Sequence, residues 1–200
     1  SPVENVDTGA VCMLTSPEGT QVLANASTLD DVNIASSIGA DGIGLFRTEI
    51  QFIRSEKLLS EDEQFEFYNN AAEAINGKVV TFRMLDVGGD KPLPFLRIKK
   101  EANPYLGWRG ARFLLGNPDI FDAQLRALGR VALNHKIRIL FPMVVDAQQV
   151  EELLLRARAA IGFLPGAEKN IEYGVMFEVP SAFLQARKIL NLVDFGSVGS

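Results

Sequence analysis

The sequence predicts an α/β protein built on a parallel sheet, and two observations carry that prediction. Short apolar or alternating runs recur along the chain, and each is followed by a helical pattern with its own capping residues. This alternation is typical of parallel strands joined by crossover helices. The 200 residues suffice for one domain with a sizeable core. They fall short of the ~250 residues of a complete eight-unit barrel.

Six segments have the pattern of strands. Each alternates or runs apolar over a length typical of a buried strand, and polar residues, glycine or proline bound it. The six predicted strands are residues 21–26, 42–47, 78–86, 136–144, 173–179 and 193–198.

Four helices are predicted between these strands from capping residues and apolar spacing. Ser60 and Glu63 form a capping-box pattern ahead of apolar residues spaced by three and four. Pro118 directly after Asn117 is typical of a first helical turn. The residues predicted to cap the four helices are Thr28, Ser60, Asn117 and Asp146. The third helix is predicted to bury Phe121, Leu125, Leu128 and Ala132.

Composition restricts the classes of function. A net charge of −5 and a pI near 5.0 argue against general attraction to nucleic acid, because phosphate backbones are held by excess lysine and arginine. The longest apolar stretch, residues 139–145, is far shorter than the ~18 residues of a membrane span. The chain also starts without a signal pattern, so we expect a cytoplasmic protein with no membrane insertion. Cys12 is the single cysteine, which excludes an internal disulfide.

Two arginines occur at positions where a core strand is ordinarily apolar. In segment 78–86, alternation places Phe82 against the helices and Arg83 on the opposite, inner face. The same alternation places Arg47 on one face with Ile43 and Leu45. Both arginines are therefore predicted to lie near the carboxyl ends of inner strand faces, where barrel enzymes keep their chemistry.

The two arginines need anions nearby, because a desolvated guanidinium is costly without one. Glu49 and Asp86 could neutralise Arg47 and Arg83 as buried salt bridges. A small phosphorylated acid would serve equally well, since planar guanidinium groups match phosphate and carboxylate oxygens. The residues alone leave both possibilities open.

Four motifs occur in order along the chain and read GIGLFRTE, FRMLDVGGDKPLP, NPYLGWRG and MFEVP, at residues 42–49, 82–94, 103–110 and 176–180. Together they resemble motifs of the phosphoenolpyruvate-utilising enzymes, a group that includes Enzyme I, pyruvate phosphate dikinase and phosphoenolpyruvate synthase. The second and third are most similar to the Enzyme I branch, and the dikinase and the synthase are the alternatives. The resemblance covers the chain from about residue 11 onward.

The resemblance implies a (β/α)8 TIM-type barrel, here truncated after about six strands, that binds phosphoenolpyruvate. Residues 1–200 would be this incomplete barrel domain, with residues 1–17 as a lead-in segment. In the family, the phosphoryl group passes to a histidine on a separate domain, and pyruvate is released. A phosphoryl-acceptor carrier protein, reached through N-terminal domains, and a homodimer are also implied.

The resemblance also implies roles for four residues. Arg47 and Arg83 match the family arginines that grip the phosphoryl group, and Arg109 matches another arginine close to it. Glu178 matches one of two carboxylates that hold Mg²⁺, the implied cofactor. From the pattern alone, Glu178 could instead be a strand-end glutamate paired with an arginine.

The sequence departs from the family pattern at its end. Residues 197–200 stop short of the second metal carboxylate, a later substrate-binding arginine and the cysteine that protonates the enolate. We therefore expect this stretch alone to be inactive, and the alternative function is a non-catalytic binding or dimerisation module. His135 does not resemble the phosphorylated histidine and is predicted to be structural or solvent-facing. Gly88 and Gly89 are predicted to permit a tight turn, and Lys91 to add positive charge to the site.

Overall fold

The computed structural model describes residues 19–88 and 107–199, and within them a single parallel sheet forms the centre of the fold. Its six strands follow one another in space in the order of the chain, so the sheet curls as part of a (β/α) barrel. The predicted fold class is confirmed. The strands are β1 (Leu23–Ala26), β2 (Gly42–Arg47), β3 (Val79–Arg83), β4 (Ile137–Phe141), β5 (Ile171–Phe177) and β6 (Phe195–Val198).

Helices cover the outer face of the sheet. They are α1 (Leu29–Ser37), α2 (Glu49–Ser55), α3 (Glu61–Ala74), α4 (Ala111–Gly116), α5 (Pro118–Ala132), α6 (Ala147–Ile161), α7 (Pro180–Leu184) and α8 (Ala186–Leu190), with a 3₁₀ turn at Glu168–Asn170. None of the described helices combines the length and the apolar character needed to cross a membrane.

Three of the four predicted helix caps are confirmed. Thr28, Ser60 and Asp146 each accept a hydrogen bond from a backbone N–H in the first turn of the following helix. The prediction for Asn117 is wrong in detail, because its side chain does not cap α5. Its amide instead donates to the Phe113 carbonyl at 2.8 Å, where α4 ends against the start of α5.

The predicted strands have the right order but several wrong ends. Pro142 cannot donate to a ladder, and it closes β4 three residues before the predicted end at 144. β3 ends at Arg83 rather than at residue 86, because the Leu85 N–H leaves the sheet and donates to a side chain of α5. β5 runs from Ile171 to Phe177 rather than from 173 to 179. β1 and β6 begin two residues later than predicted.

A bulge in β2 overturns one prediction from strict alternation. Ile43 pairs with Val80 and Phe46 pairs with Phe82, so three residues of β2 span two residues of β3. Ile43 therefore shares the helix-facing side of Phe46 instead of the inner side of Arg47. Gly44 lies in the bulge, where a Cβ atom would approach Leu23 Cβ to 2.8 Å.

The core lies between the outer sheet face and the helices. Phe46, Phe82 and Tyr68 are buried and stack in tilted pairs, with ring centroids 5.4 Å and 5.3 Å apart. This packing fixes the outward direction of Phe46 and Phe82, and thereby the inward direction of the arginine that follows each of them. The lead-in segment 1–17, Cys12, Gly89 and Lys91 lie outside the described residues.

Candidate functional site

A cleft of about 740 Å³ opens at the carboxyl ends of the strands. Arg47 and Arg83 are the last residues of β2 and β3, and Glu178 directly follows β5. The cleft brings together all four residues that the sequence singled out as ligands of substrate or metal. They are Arg47, Arg83, Arg109 and Glu178.

Arg83 is held by two carboxylates at the base of the cleft. Its Nη2 donates to Glu49 Oε1 in an ion pair whose side chains are only 7% and 5% exposed. Its Nη1 lies 3.6 Å from Asp86 Oδ2. Glu49 Oε2 and Arg83 Nε have no hydrogen-bond partner among residues 19–88 and 107–199. Both atoms are buried, so the ion pair is not fully hydrogen-bonded by its described surroundings.

Asp86 also binds the third arginine. Arg109 Nε and Nη2 donate to the two Asp86 oxygens at 2.9 Å and 3.0 Å, a bidentate arrangement that orients the guanidinium plane. Asp86 is fully buried. The pair is supported by the backbone, because Arg109 makes an antiparallel bridge with Gly88, which lies beyond the end of β3 and just after Asp86.

Gly88 is required by that approach. Its φ is 109°, and a Cβ atom there would lie 2.0 Å from the Trp108 carbonyl oxygen. The sequence predicts a tight turn at this glycine, whereas the structure shows that its positive φ serves the close approach of Trp108 and Arg109.

Arg47 differs from the other two arginines. It is exposed, and it forms no ion pair within the part of the chain that the structure describes. Of the two salt bridges that the sequence left open, the one between Asp86 and Arg83 is present, whereas the Glu49 carboxylate pairs with Arg83 instead of Arg47. A guanidinium at the rim of the cleft is thereby left able to meet an anion.

Glu178 is a half-buried carboxylate with a backbone partner. Its Oε1 accepts the Met143 N–H at 2.7 Å, and Met143 adopts a left-handed φ of 56° just beyond β4. No arginine or lysine pairs with Glu178 among the described residues, so the reading of it as a salt-bridged strand end is not supported. The described chain contains no cluster of three acidic, histidine or cysteine side chains suited to a metal. Glu178 could thus supply one carboxylate ligand to a hard cation, with other oxygens coming from elsewhere.

The sequence patterns do not single out two polar residues behind the cleft, Thr48 and Gln124. Each is at most 1% exposed and hydrogen-bonds to its buried surroundings. A signal was present for Gln124, which lies three residues after Phe121 and four before Leu128, in the middle of the predicted apolar stripe of α5. A polar residue in such a stripe indicates a buried hydrogen-bond network.

The motifs, the parallel sheet and the cleft at its carboxyl edge define a class of protein that the comparisons identify. Residues 5–200 match the model of the phosphoenolpyruvate-binding domain of the phosphoenolpyruvate-utilising enzymes, and the chain belongs to that family.

The chain is also similar to individual proteins of that family. The phosphoenolpyruvate-protein phosphotransferase of Haemophilus influenzae is 41% identical over 187 residues, covering 90% of this chain and 32% of that protein. The protein of the same name from Geobacillus stearothermophilus is 42% identical over 184 residues, with the same two coverages of 90% and 32%. The multiphosphoryl transfer protein of Rhodobacter capsulatus is 39% identical over 183 residues, covering 90% of this chain and 22% of that protein. The chain thus spans a third or less of the length of these relatives.

Among solved structures, citrate synthase SbnG aligns with a TM-score of 0.48 at 13% identity, over 90% of this chain and 62% of that chain. This similarity is too low to support a statement about function.

Proposed function

We propose that this chain is the phosphoenolpyruvate-binding part of a phosphoenolpyruvate-protein phosphotransferase. The observation that carries the proposal is the convergence of Arg47, Arg83, Arg109 and Glu178 on one cleft at the carboxyl edge of the sheet. Three guanidinium groups at one cleft suit a ligand that bears both a phosphoryl group and a carboxylate.

In the proposed reaction, the bond between phosphorus and the enol oxygen breaks while a bond forms between phosphorus and a histidine nitrogen on a separate domain. The enolate of pyruvate that leaves then takes up a proton at carbon and is released as pyruvate. Arg47 and Arg83 hold the phosphoryl oxygens, whose charge is spread in a loose transition state. Arg109, fixed by Asp86, adds positive charge nearby.

Glu178 is proposed to hold Mg²⁺ together with oxygens of the substrate and water. The ion would add positive charge next to the transferring group. The fit to this role rests on the chemistry of the donor, because Glu178 is a carboxylate that faces the cleft without a cationic partner among the described residues. The chain's own contribution is to orient that carboxylate through the Met143 N–H.

The proposal is tested by phosphotransfer kinetics of two variants in the full-length protein. Arg47→Ala and Arg83→Ala should each lower kcat/KM for phosphoenolpyruvate by at least ~30-fold, about 2 kcal/mol of transition-state stabilisation, because a charge-assisted contact is lost. Arg156→Ala is the matched control, since Arg156 pairs with Asp122 on the outer helices. Near-normal phosphotransfer by both cleft variants would exclude the assignment.

Several features of the whole protein remain predictions. These are a carrier protein as phosphoryl acceptor, a cytoplasmic location, a homodimer, a role in sugar uptake or in nitrogen regulation, and the inactivity of this stretch alone. Calorimetry of the 200-residue chain with phosphoenolpyruvate and Mg²⁺ would separate a competent ligand site from a binding or dimerisation module that has lost it.

A further inference from the structure

A network of hydrogen-bonded polar side chains runs through the apolar layer directly behind the cleft. Thr48, Gln64, Tyr68 and Gln124 are each at most 1% exposed. The aromatic ring of Tyr68 packs against Phe82, so these polar atoms lie inside the main core. Burial also raises the pKa of the Tyr68 hydroxyl, which keeps it protonated and able to donate.

The donor and the acceptor of each hydrogen bond at the inner end of this network can be assigned. Gln124 Oε1 accepts the Leu85 N–H at 3.0 Å, which fixes the orientation of the amide because a backbone N–H can only donate. Gln124 Nε2 then donates to Thr48 Oγ1 and to the Tyr68 hydroxyl, both at 3.1 Å. Thr48 Oγ1 in turn donates to the Arg83 carbonyl at 2.8 Å.

The inner end of the network therefore hydrogen-bonds to the backbone on both sides of Met84. Thr48 holds the carbonyl of Arg83, and Gln124 holds the N–H of Leu85. The Met84 N–H itself still donates to the Leu140 carbonyl of β4 at 2.9 Å, so the two side chains supplement the sheet ladder just where β3 ends and the chain carries Arg83 and Asp86 into the cleft. The outer end of this network runs from Tyr68 through Gln64 to the Leu59 carbonyl and makes no hydrogen bond to β3 among the described residues; only the Tyr68 ring packs against β3, at Phe82.

We propose that Thr48 and Gln124, which we call the Thr48–Gln124 tether, position Arg83 and Asp86 for phosphoryl transfer. The inference rests on the proposed function and assigns Thr48 and Gln124 as positioning residues. Neither side chain needs to touch the substrate. Arg83 depends on the tether because its guanidinium must meet both Glu49 and the phosphoryl group from one fixed backbone position.

Stability alone does not account for the tether. Apolar side chains of similar shape can fill such a layer with little loss of stability, whereas each buried polar group must find a partner. The donors and acceptors of both tether side chains are matched, and their two backbone contacts flank Met84, the first residue after β3. That placement is explained by a need to fix the strand end.

The test compares Thr48→Val and Gln124→Met with Tyr68→Phe in the full-length protein. Thr48→Val and Gln124→Met remove the hydrogen bonds of the tether. Tyr68→Phe removes a hydroxyl from the same hydrogen-bond network but leaves the contacts to Arg83 and Leu85 in place. All three should lose some thermal stability. A mere loss of folded protein lowers the apparent kcat and leaves KM unchanged, so KM for phosphoenolpyruvate is the informative quantity.

Thr48→Val and Gln124→Met should raise KM and lower kcat/KM by about 10- to 100-fold, the effect of a small misplacement of a reacting group. Thr48→Ser keeps the hydroxyl and should restore both values, and Tyr68→Phe should keep KM at the wild-type value. Unchanged KM in both tether variants would overturn the inference, as would an equal rise in Tyr68→Phe. If Arg83→Ala also transfers phosphate normally, the proposed function has failed; if only the tether variants are normal, the tether alone has failed.

Discussion

Removal of Arg83 should destabilise the fold as well as the proposed chemistry. Arg83→Met leaves Glu49 buried at 5% exposure with its only cationic partner among the described residues removed. Breaking a buried ion pair from one side costs about 3–5 kcal/mol, because the remaining charge is uncompensated. At roughly 2–4 °C per kcal/mol for a chain of this size, the Tm should fall by about 10 °C.

A second substitution separates this cost from simple loss of packing. Arg83→Met combined with Glu49→Leu removes both charges and keeps side-chain volume nearly constant, so we expect it to recover at least ~2 kcal/mol relative to Arg83→Met alone. Asp86 keeps its bidentate partner Arg109 in every variant.

The measurement is urea and thermal unfolding of the 200-residue chain followed by circular dichroism. The control is the corresponding pair of substitutions at Arg138 and Glu172, an ion pair whose side chains are 25% and 53% exposed. There we expect less than ~1 kcal/mol and no recovery in the double variant. Additive losses at Arg83 and Glu49, or a loss below ~1 kcal/mol for Arg83→Met, would refute the reasoning.

Three further predictions concern the metal, the pH dependence and the sheet edges. Mg²⁺ titration of this chain should show weak binding that Glu178→Gln abolishes, because a single carboxylate makes a poor site; tight binding that survives the substitution would place the ion elsewhere. The backbone N–H groups of Ser27 and Thr28 hold the pKa of Asp31 below its ordinary value of 3.8, so its stabilising contribution is present above that pH and lost as the pH falls through the lowered pKa. Acid unfolding should therefore be less steep for Asp31→Asn than for the wild type, and identical profiles would contradict this. β1 and β6 each have one neighbour in the described sheet, so sedimentation at low micromolar concentration should show self-association, whereas a stable monomer would mean that both edges are covered.

The positions of the four candidate residues can be predicted from the sequence better than the ends and the register of the strands. Arg83 and Glu178 follow apolar runs, so their places at strand ends could be inferred from alternation and from the motifs. The bulge at Gly44 could not, because nothing in a period-two pattern shows that one residue is extra. Arg47 was nevertheless assigned to the correct face, since the bulge lies before it and Phe46 fixes the local direction.

Ion-pair partners were harder to predict than positions. Glu49 is close in sequence to Arg47, yet it pairs with Arg83 on the next strand. Which arginine pairs with Glu49 depends on where its side chain points from the first turn of α2. That direction is set by how the helix packs, which the sequence pattern does not show. The burial of Gln124 is hard to predict, because the apolar residues of α5 are by themselves sufficient to account for the burial of that helix.

The bridge between Gly88 and Arg109 fastens two segments that are distant in the sequence. Gly110 N–H also donates to the Val87 carbonyl at 3.2 Å, so residues 87–88 and 109–110 lie side by side. The bidentate contact of Arg109 with Asp86 is therefore supported by backbone contacts on both segments. A Cβ atom at position 88 would push these segments apart, so the position of Arg109 in the cleft depends on a residue that has no side chain of its own.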